Sequence, residues 1–66
     1  MMTVKHVTED GERIEQVDAA EYNAELWKLI GIKNGKPVME FTGGHAFVVN
    51  ENGKTVGTYN LGKQKV

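Results

Sequence analysis

The residues that could do chemistry in this chain are few, and most sit at glycine-containing turns. Gly53-Lys54-Thr55 carries the end of a phosphate-binding P-loop. The full pattern needs a glycine where this chain has Val48, and a helix where the following residues alternate as a strand, so the match fails. Gly43-Gly44-His45 is a better candidate. Two glycines expose backbone N–H groups and let a ligand approach the main chain, while His45 can donate to an anion or stack on a base. Lys36 and Lys54 follow two further turns and supply compact ammonium groups for a phosphate. Trp27 and Tyr59 are the aromatics expected to line a ligand pocket or a subunit interface, whereas the other aromatics are needed for the core. The candidate ligand-binding set is therefore Lys36, Gly43, Gly44, His45, Lys54 and Thr55, with Trp27 and Tyr59.

What is missing narrows the chemistry further. The chain has neither Ser nor Cys, the two commonest nucleophiles, and no disulfide or thiolate metal site can form. His6 and His45 lack ligand spacing, so no metal and no cofactor are expected. The carboxylates Glu9, Asp10, Glu12, Glu15, Asp18, Glu21 and Glu25 fall in the most hydrophilic part of the chain, where solvation explains them better than acid–base catalysis. The expectation is that the protein is not an enzyme. A single arginine, Arg13, cannot build a bidentate cluster for bases or phosphates, and a net charge of −1 disfavours nucleic acid as partner. No apolar run is long enough to span a membrane and no signal peptide opens the sequence, which reads as cytoplasmic.

With 66 residues the chain is expected to form one domain, 1–66, with residues 62–66 as a frayed tail. A domain this small without disulfides or metal gains most from self-association, so a homo-oligomer is expected. The charge is segregated: residues 9–25 are acidic, and residues 26–66 hold six lysines against two glutamates. Such a surface is either ordinary solvated polarity or a bipolar one, with basic loops toward an anion and an acidic edge toward a partner.

Positioning falls to a set of short strands. The stretch 44–62 reads as a hairpin about a type I′ turn at Asn52-Gly53, pairing Val49 with Val56, Phe47 with Thr58 and His45 with Asn60. Ala46, Val48, Gly57 and Tyr59 take the other face, continued by Leu61. Asp10-Gly11 signals a hairpin between 3–8 and 12–17, and Asn34-Gly35 another, ending in a strand at 37–42. Residues 18–30 are ambiguous. A capping box of Asp18 and Glu21, and Tyr22, Leu26, Leu29 and Ile30 at helical spacing, favour a helix; the Asn34-Gly35 hairpin claims residues 27–33 for a strand. The reading is mainly β: a small antiparallel β-meander or barrel of five to six strands, with a short helix near 18–30 admitted and an α+β ββαβββ order as the alternative. In a meander Lys36 and Lys54 lie at one end and the Gly43-Gly44 turn at the other, unless a neighbouring subunit joins them.

The order DG, VDAAEYN, NGKPVMEF and HAFVVNENGKTVGTYNLG resembles small β-meander proteins encoded by bacteriophages and mobile elements. That resemblance implies an accessory, counter-defence role: a sponge for a nucleotide signal, or an inhibitor of a host nuclease or defence protein. The expected function is a non-enzymatic binding module that sequesters a small anionic ligand, such as a nucleotide immune signal, at a subunit interface. The alternatives are a protein inhibitor acting through a sheet edge or the acidic surface, and a virion structural or assembly component.

Overall fold

A computed structural model describes residues 1–62. Seven antiparallel strands follow one another: β1 (Met2–Thr8), β2 (Gly11–Val17), β3 (Ala19–Asn23), β4 (Lys28–Lys33), β5 (Lys36–Thr42), β6 (His45–Val49) and β7 (Thr55–Asn60). They form a four-stranded sheet in the order β2-β1-β6-β7 and a three-stranded sheet in the order β3-β4-β5. The mainly β architecture read from the sequence is the one observed. No helix occurs among the described residues, so none of them is long and apolar enough to cross a membrane. Residues 63–66 of the expected tail lie outside the described residues. Gly62 donates to the carbonyl of Gly44 at 3.1 Å.

The helix admitted near 18–30 is absent, and the reason lies in long-range partners. Tyr22 and Leu29 share a face because they are opposite each other on β3 and β4, while Leu26 sits exposed in the intervening turn. Asp18 caps no helix. Its carboxylate accepts the N–H of Asn34 at 2.8 Å, and its own N–H donates to Ile32. The strand gained here raises the count to seven. Gly31 serves the contact between the sheets: a Cβ there would meet Met39 and Val17 at 2.7 and 2.8 Å, so its bare backbone lets the sheets approach.

Two sequential strand pairs of the expected meander do not form. β2 passes through Asp18 directly into the other sheet, and β5 passes through Gly43-Gly44 to β6, which pairs with β1. Gly43-Gly44 is thus a corner between sheets and not a hairpin turn.

The inner faces enclose Val4, Val17, Leu29, Phe41, Ala46, Val48 and Leu61. Each of the larger ones contributes about 1.5–3 kcal/mol by leaving water. His6 completes this core at 8% exposure. Its Nε2–H donates to the carbonyl of Gly43 at 2.8 Å, and its ring meets Phe41 edge-on at 5.4 Å. Arg13, across the ladder from His6, lies over the same Phe41 ring at 4.7 Å.

The hairpin of 44–62 holds its expected register from His45–Asn60 to Phe47–Thr58, with Ala46, Val48, Gly57 and Tyr59 on the inner side. Beyond that the register shifts. Val49 pairs with Thr55, not Val56, which bulges out. The turn differs too: only Gly53 takes positive φ, and its N–H donates to Asn50 in a type I turn followed by a left-handed glycine. The Asn50 side chain selects this form, since its Oδ1 accepts from the N–H groups of Asn52 and Lys54 at 2.9 and 3.0 Å. The type I′ signature, positive φ at both residues, belongs to Asn34-Gly35 at 54° and 76°.

Candidate functional site

The residues singled out by type do not converge. Lys36 opens β5 opposite Lys33, at the turn of the three-stranded sheet. Lys54 and Thr55 belong to the turn of the four-stranded sheet and are exposed. His45 begins β6 at the other end of that strand, roughly 17 Å of extended chain away by the usual rise per residue. Trp27 is half-buried in the β3–β4 turn with φ 52°. Tyr59 points inward, and its ring stacks on Tyr22 at 4.9 Å.

Gly43 and Gly44 spend three of their four backbone polar groups on the fold. The N–H of Gly43 donates to Leu61 at 3.1 Å, its carbonyl accepts from His6, and the Gly44 carbonyl accepts from Leu61 and Gly62. Their left-handed backbone is needed to turn the corner, and the Val7 carbonyl leaves no room for a Cβ at Gly44.

What the fold does assemble is the outer face of the four-stranded sheet. Side chains alternate along each strand, so Thr3, Lys5 and Val7 of β1 share a face with Glu12, Ile14 and Gln16 of β2 and with His45, Phe47 and Val49 of β6. The second sheet covers the opposite face, yet this one carries large apolar groups: Ile14 is 59% exposed, and Phe47 and Val49 are only half-buried. A groove of about 470 Å³ runs across it, lined by Thr3, Lys5, Ile14, Gln16, Val49, Asn50 and the acidic Glu51 among others. That size suits a small-molecule ligand.

The groove mixes apolar floor and polar rim. Ile14 and Val49 offer surface for a flat apolar group. Lys5 brings an ammonium that lies 3.6 Å from Glu12 in an exposed ion pair, which costs little to rearrange. Asn50 commits its Oδ1 to the turn, so N–H donors are what it has left to offer. Of the positions chosen from the sequence, the groove takes in none; Gly53, beside Lys54, is its nearest approach. The missed signal is the alternation of Thr3, Lys5 and Val7, which declares a face but cannot say which face the second sheet covers. A second hollow, about 380 Å³, lies at the β1–β2 turn beside His6, Thr8, Asp10, Glu12, Arg13 and Thr42. Its two acids, Asp10 and Glu12, outnumber its one arginine, which is itself paired with Glu15, and leave it no net pull on an anion. Among the described residues, no three acidic or histidine side chains gather as a metal site would require.

No family model, no curated protein and no solved structure matches this chain.

Proposed function

We propose that this protein is a non-enzymatic binding module that holds a small anionic ligand with a planar apolar portion, of the nucleotide class, on the outer face of its four-stranded sheet. The observation that supports this is the groove: apolar Ile14 and Val49, with Lys5, Gln16 and the Asn50 amide around them. The Glu51 carboxylate on its rim, away from Lys5 in the sequence and on the turn side, lies 4.0 Å from the Met1 ammonium. The anion partner moves from the turn lysines to Lys5, and Lys36, Lys54 and His45 act at most as steering charges. The groove is open to one side, so a second subunit beside it would complete the enclosure. A counter-defence role, as the resemblance to phage proteins implies, suits a module that binds without turnover.

Thermal shift with cyclic and ADP-ribose-type nucleotides tests the reading. Ligand at about a hundred times its Kd adds roughly 2.7 kcal/mol, and a domain this size gains about 4–8 °C per kcal/mol. Lys5→Ala is expected to weaken binding about tenfold, and Lys54→Ala by less than about twofold. No shift with any nucleotide, or loss with Lys54→Ala alone, overturns the groove assignment. A protein inhibitor is the second reading. It draws on the exposed run Glu9, Asp10, Glu12, Asp18, Glu21 and Glu25, and a stoichiometric protein partner lost on neutralising these acids would favour it.

A further inference from the structure

We infer that two copies of this chain pair antiparallel through β2, with Ile14 on the two-fold axis, joining their four-stranded sheets into one of eight strands. The pairing supplies the subunit neighbour that the binding reading assumes, but it rests on β2 alone.

A sheet edge is a row of unpaired N–H and C=O groups, and proteins guard such edges with bulges, prolines, short strands or charged side chains. Three of the four edges here are guarded by the backbone itself. β7 bulges at Val56, β5 carries Pro37 and a register shift at Val38, and β3 is five residues long. β2 has no bulge, no proline and no shortening; its one guard is charge, at Glu12, Arg13 and Glu15, and a guard of mixed sign can be matched by a second copy. It runs seven residues, Gly11–Val17, in unbroken register with β1, and among the described residues nothing pairs with its other side.

The open edge has a defined set of groups. Thr8 and Gly11 flank a two-residue turn and so exchange both ladder bonds. Alternation then aims the N–H and C=O of Arg13 and Glu15 at β1, and those of Glu12, Ile14 and Gln16 outward. A second β2 meets this edge with Ile14 opposite Ile14 and Glu12 opposite Gln16, giving three doubly bonded pairs over the whole strand.

Side chains select the register. With Ile14 at the centre, Arg13 of each copy faces Glu15 of the other, in the non-hydrogen-bonded positions where side chains lie closest. Each Arg13 already donates to its own Glu15 at 3.0 Å, so the two charges lie side by side on one face of β2. Centring one residue earlier sets Arg13 against Arg13, and one residue later sets Glu15 against Glu15. Only the Ile14 register is self-complementary in charge. It also places two Ile14 side chains, each 59% exposed, against one another and brings the two grooves side by side.

Sedimentation equilibrium of the full chain, from about 10 µM to 1 mM, reads the association. A dimer is expected. Ile14→Lys, at an exposed site, should raise its Kd about tenfold or more. R13E and E15R should each be monomeric, and an equimolar mixture should recover a heterodimer, because both cross-strand contacts are then of opposite sign. Arg13 also covers Phe41, so circular dichroism must show each reversal folded; where one is not, Ile14→Lys decides. A monomer throughout the range, a dimer indifferent to Ile14→Lys, or a mixture of folded reversals that stays monomeric overturns the pairing. The wild-type titration separates this from the ligand reading. Nucleotide bound by a monomer overturns the dimer alone, and a dimer that binds no nucleotide overturns the ligand reading alone.

Discussion

Replacing Gly44 by alanine tests the corner that joins the two sheets, with Gly43→Ala as its internal control. Both glycines have left-handed φ, 62° at Gly44 and 76° at Gly43, where an L side chain costs about 1–2 kcal/mol. They differ in surroundings. A Cβ at Gly43 meets nothing within 4 Å, whereas one at Gly44 would overlap the Val7 carbonyl oxygen and lie 3.1 Å from the Thr8 Cα. Those atoms are backbone, and Val7 is held in the β1–β6 ladder opposite His45. Relief requires the corner to move outward. That stretches the bonds from the Leu61 and Gly62 N–H groups to the Gly44 carbonyl, at 2.8 and 3.1 Å, each worth about 1 kcal/mol. With an overpacking cost of about 1–3 kcal/mol, Gly44→Ala should lose roughly 3 kcal/mol more than Gly43→Ala. A chain of this length has about 3–10 kcal/mol in all, so the variant is at the edge of unfolding. Urea titration followed by Trp27 fluorescence reads the difference. At about 1 kcal/mol per molar urea the midpoints should part by 2 M or more, or Gly44→Ala should be unfolded in buffer. Midpoints within about 0.5 M of each other refute the clash, and with it the corner's close packing on β1.

The two Asn-Gly turns should respond differently to loss of the asparagine. Asn34→Ala, at φ 54°, should cost about 1 kcal/mol, while Asn52→Ala, whose φ is not positive, should cost less than about 0.5 by urea midpoint; equal losses would refute the distinction between the turns. The two histidines should separate more widely. His6→Ala removes a buried ring, its bond to Gly43 and its edge contact with Phe41, for about 2–3 kcal/mol, whereas His45→Ala at an exposed position should stay within about 0.5 in the same titration.

Much of the strand plan was local enough to read from residue order. Asn34-Gly35 announces its turn because positive φ at two consecutive residues suits few other pairs. The alternation from His45 to Leu61 gave the right faces through Phe47 and Thr58, since a strand's period of two is a property of the backbone. The same signals misled where a distant group intervened. Asn52-Gly53 has the type I′ letters, but Asn50 binds the turn's N–H groups and imposes another form. Asp18 and Glu21 have the spacing of a capping box, but Asp18 finds Asn34 across the chain. A helix and a hairpin made similar local claims on residues 18–30, and the pairing of Tyr22 with Leu29, against Phe41 beyond, decided between them.

The candidate site was less legible than the fold. Lys36, Lys54 and His45 stand out because charge beside glycine is visible in sequence, yet where such turns end up depends on which strands pair. Sequential pairing would have kept β5 beside β6. Instead β6 lies against β1, with His45 opposite Val7 and Val49 opposite Thr3, and the turns carry their lysines to different sheets. That choice also left one face of the four-stranded sheet uncovered, creating the groove with Lys5 and Ile14. Composition and alternation fixed what each strand could bury, because side-chain polarity and backbone period are carried by the residues themselves. Only the tertiary structure decided which faces met, because that is settled by the joint packing of Phe41, Val17, Gly31 and His6, residues far apart in the chain and uninformative one at a time.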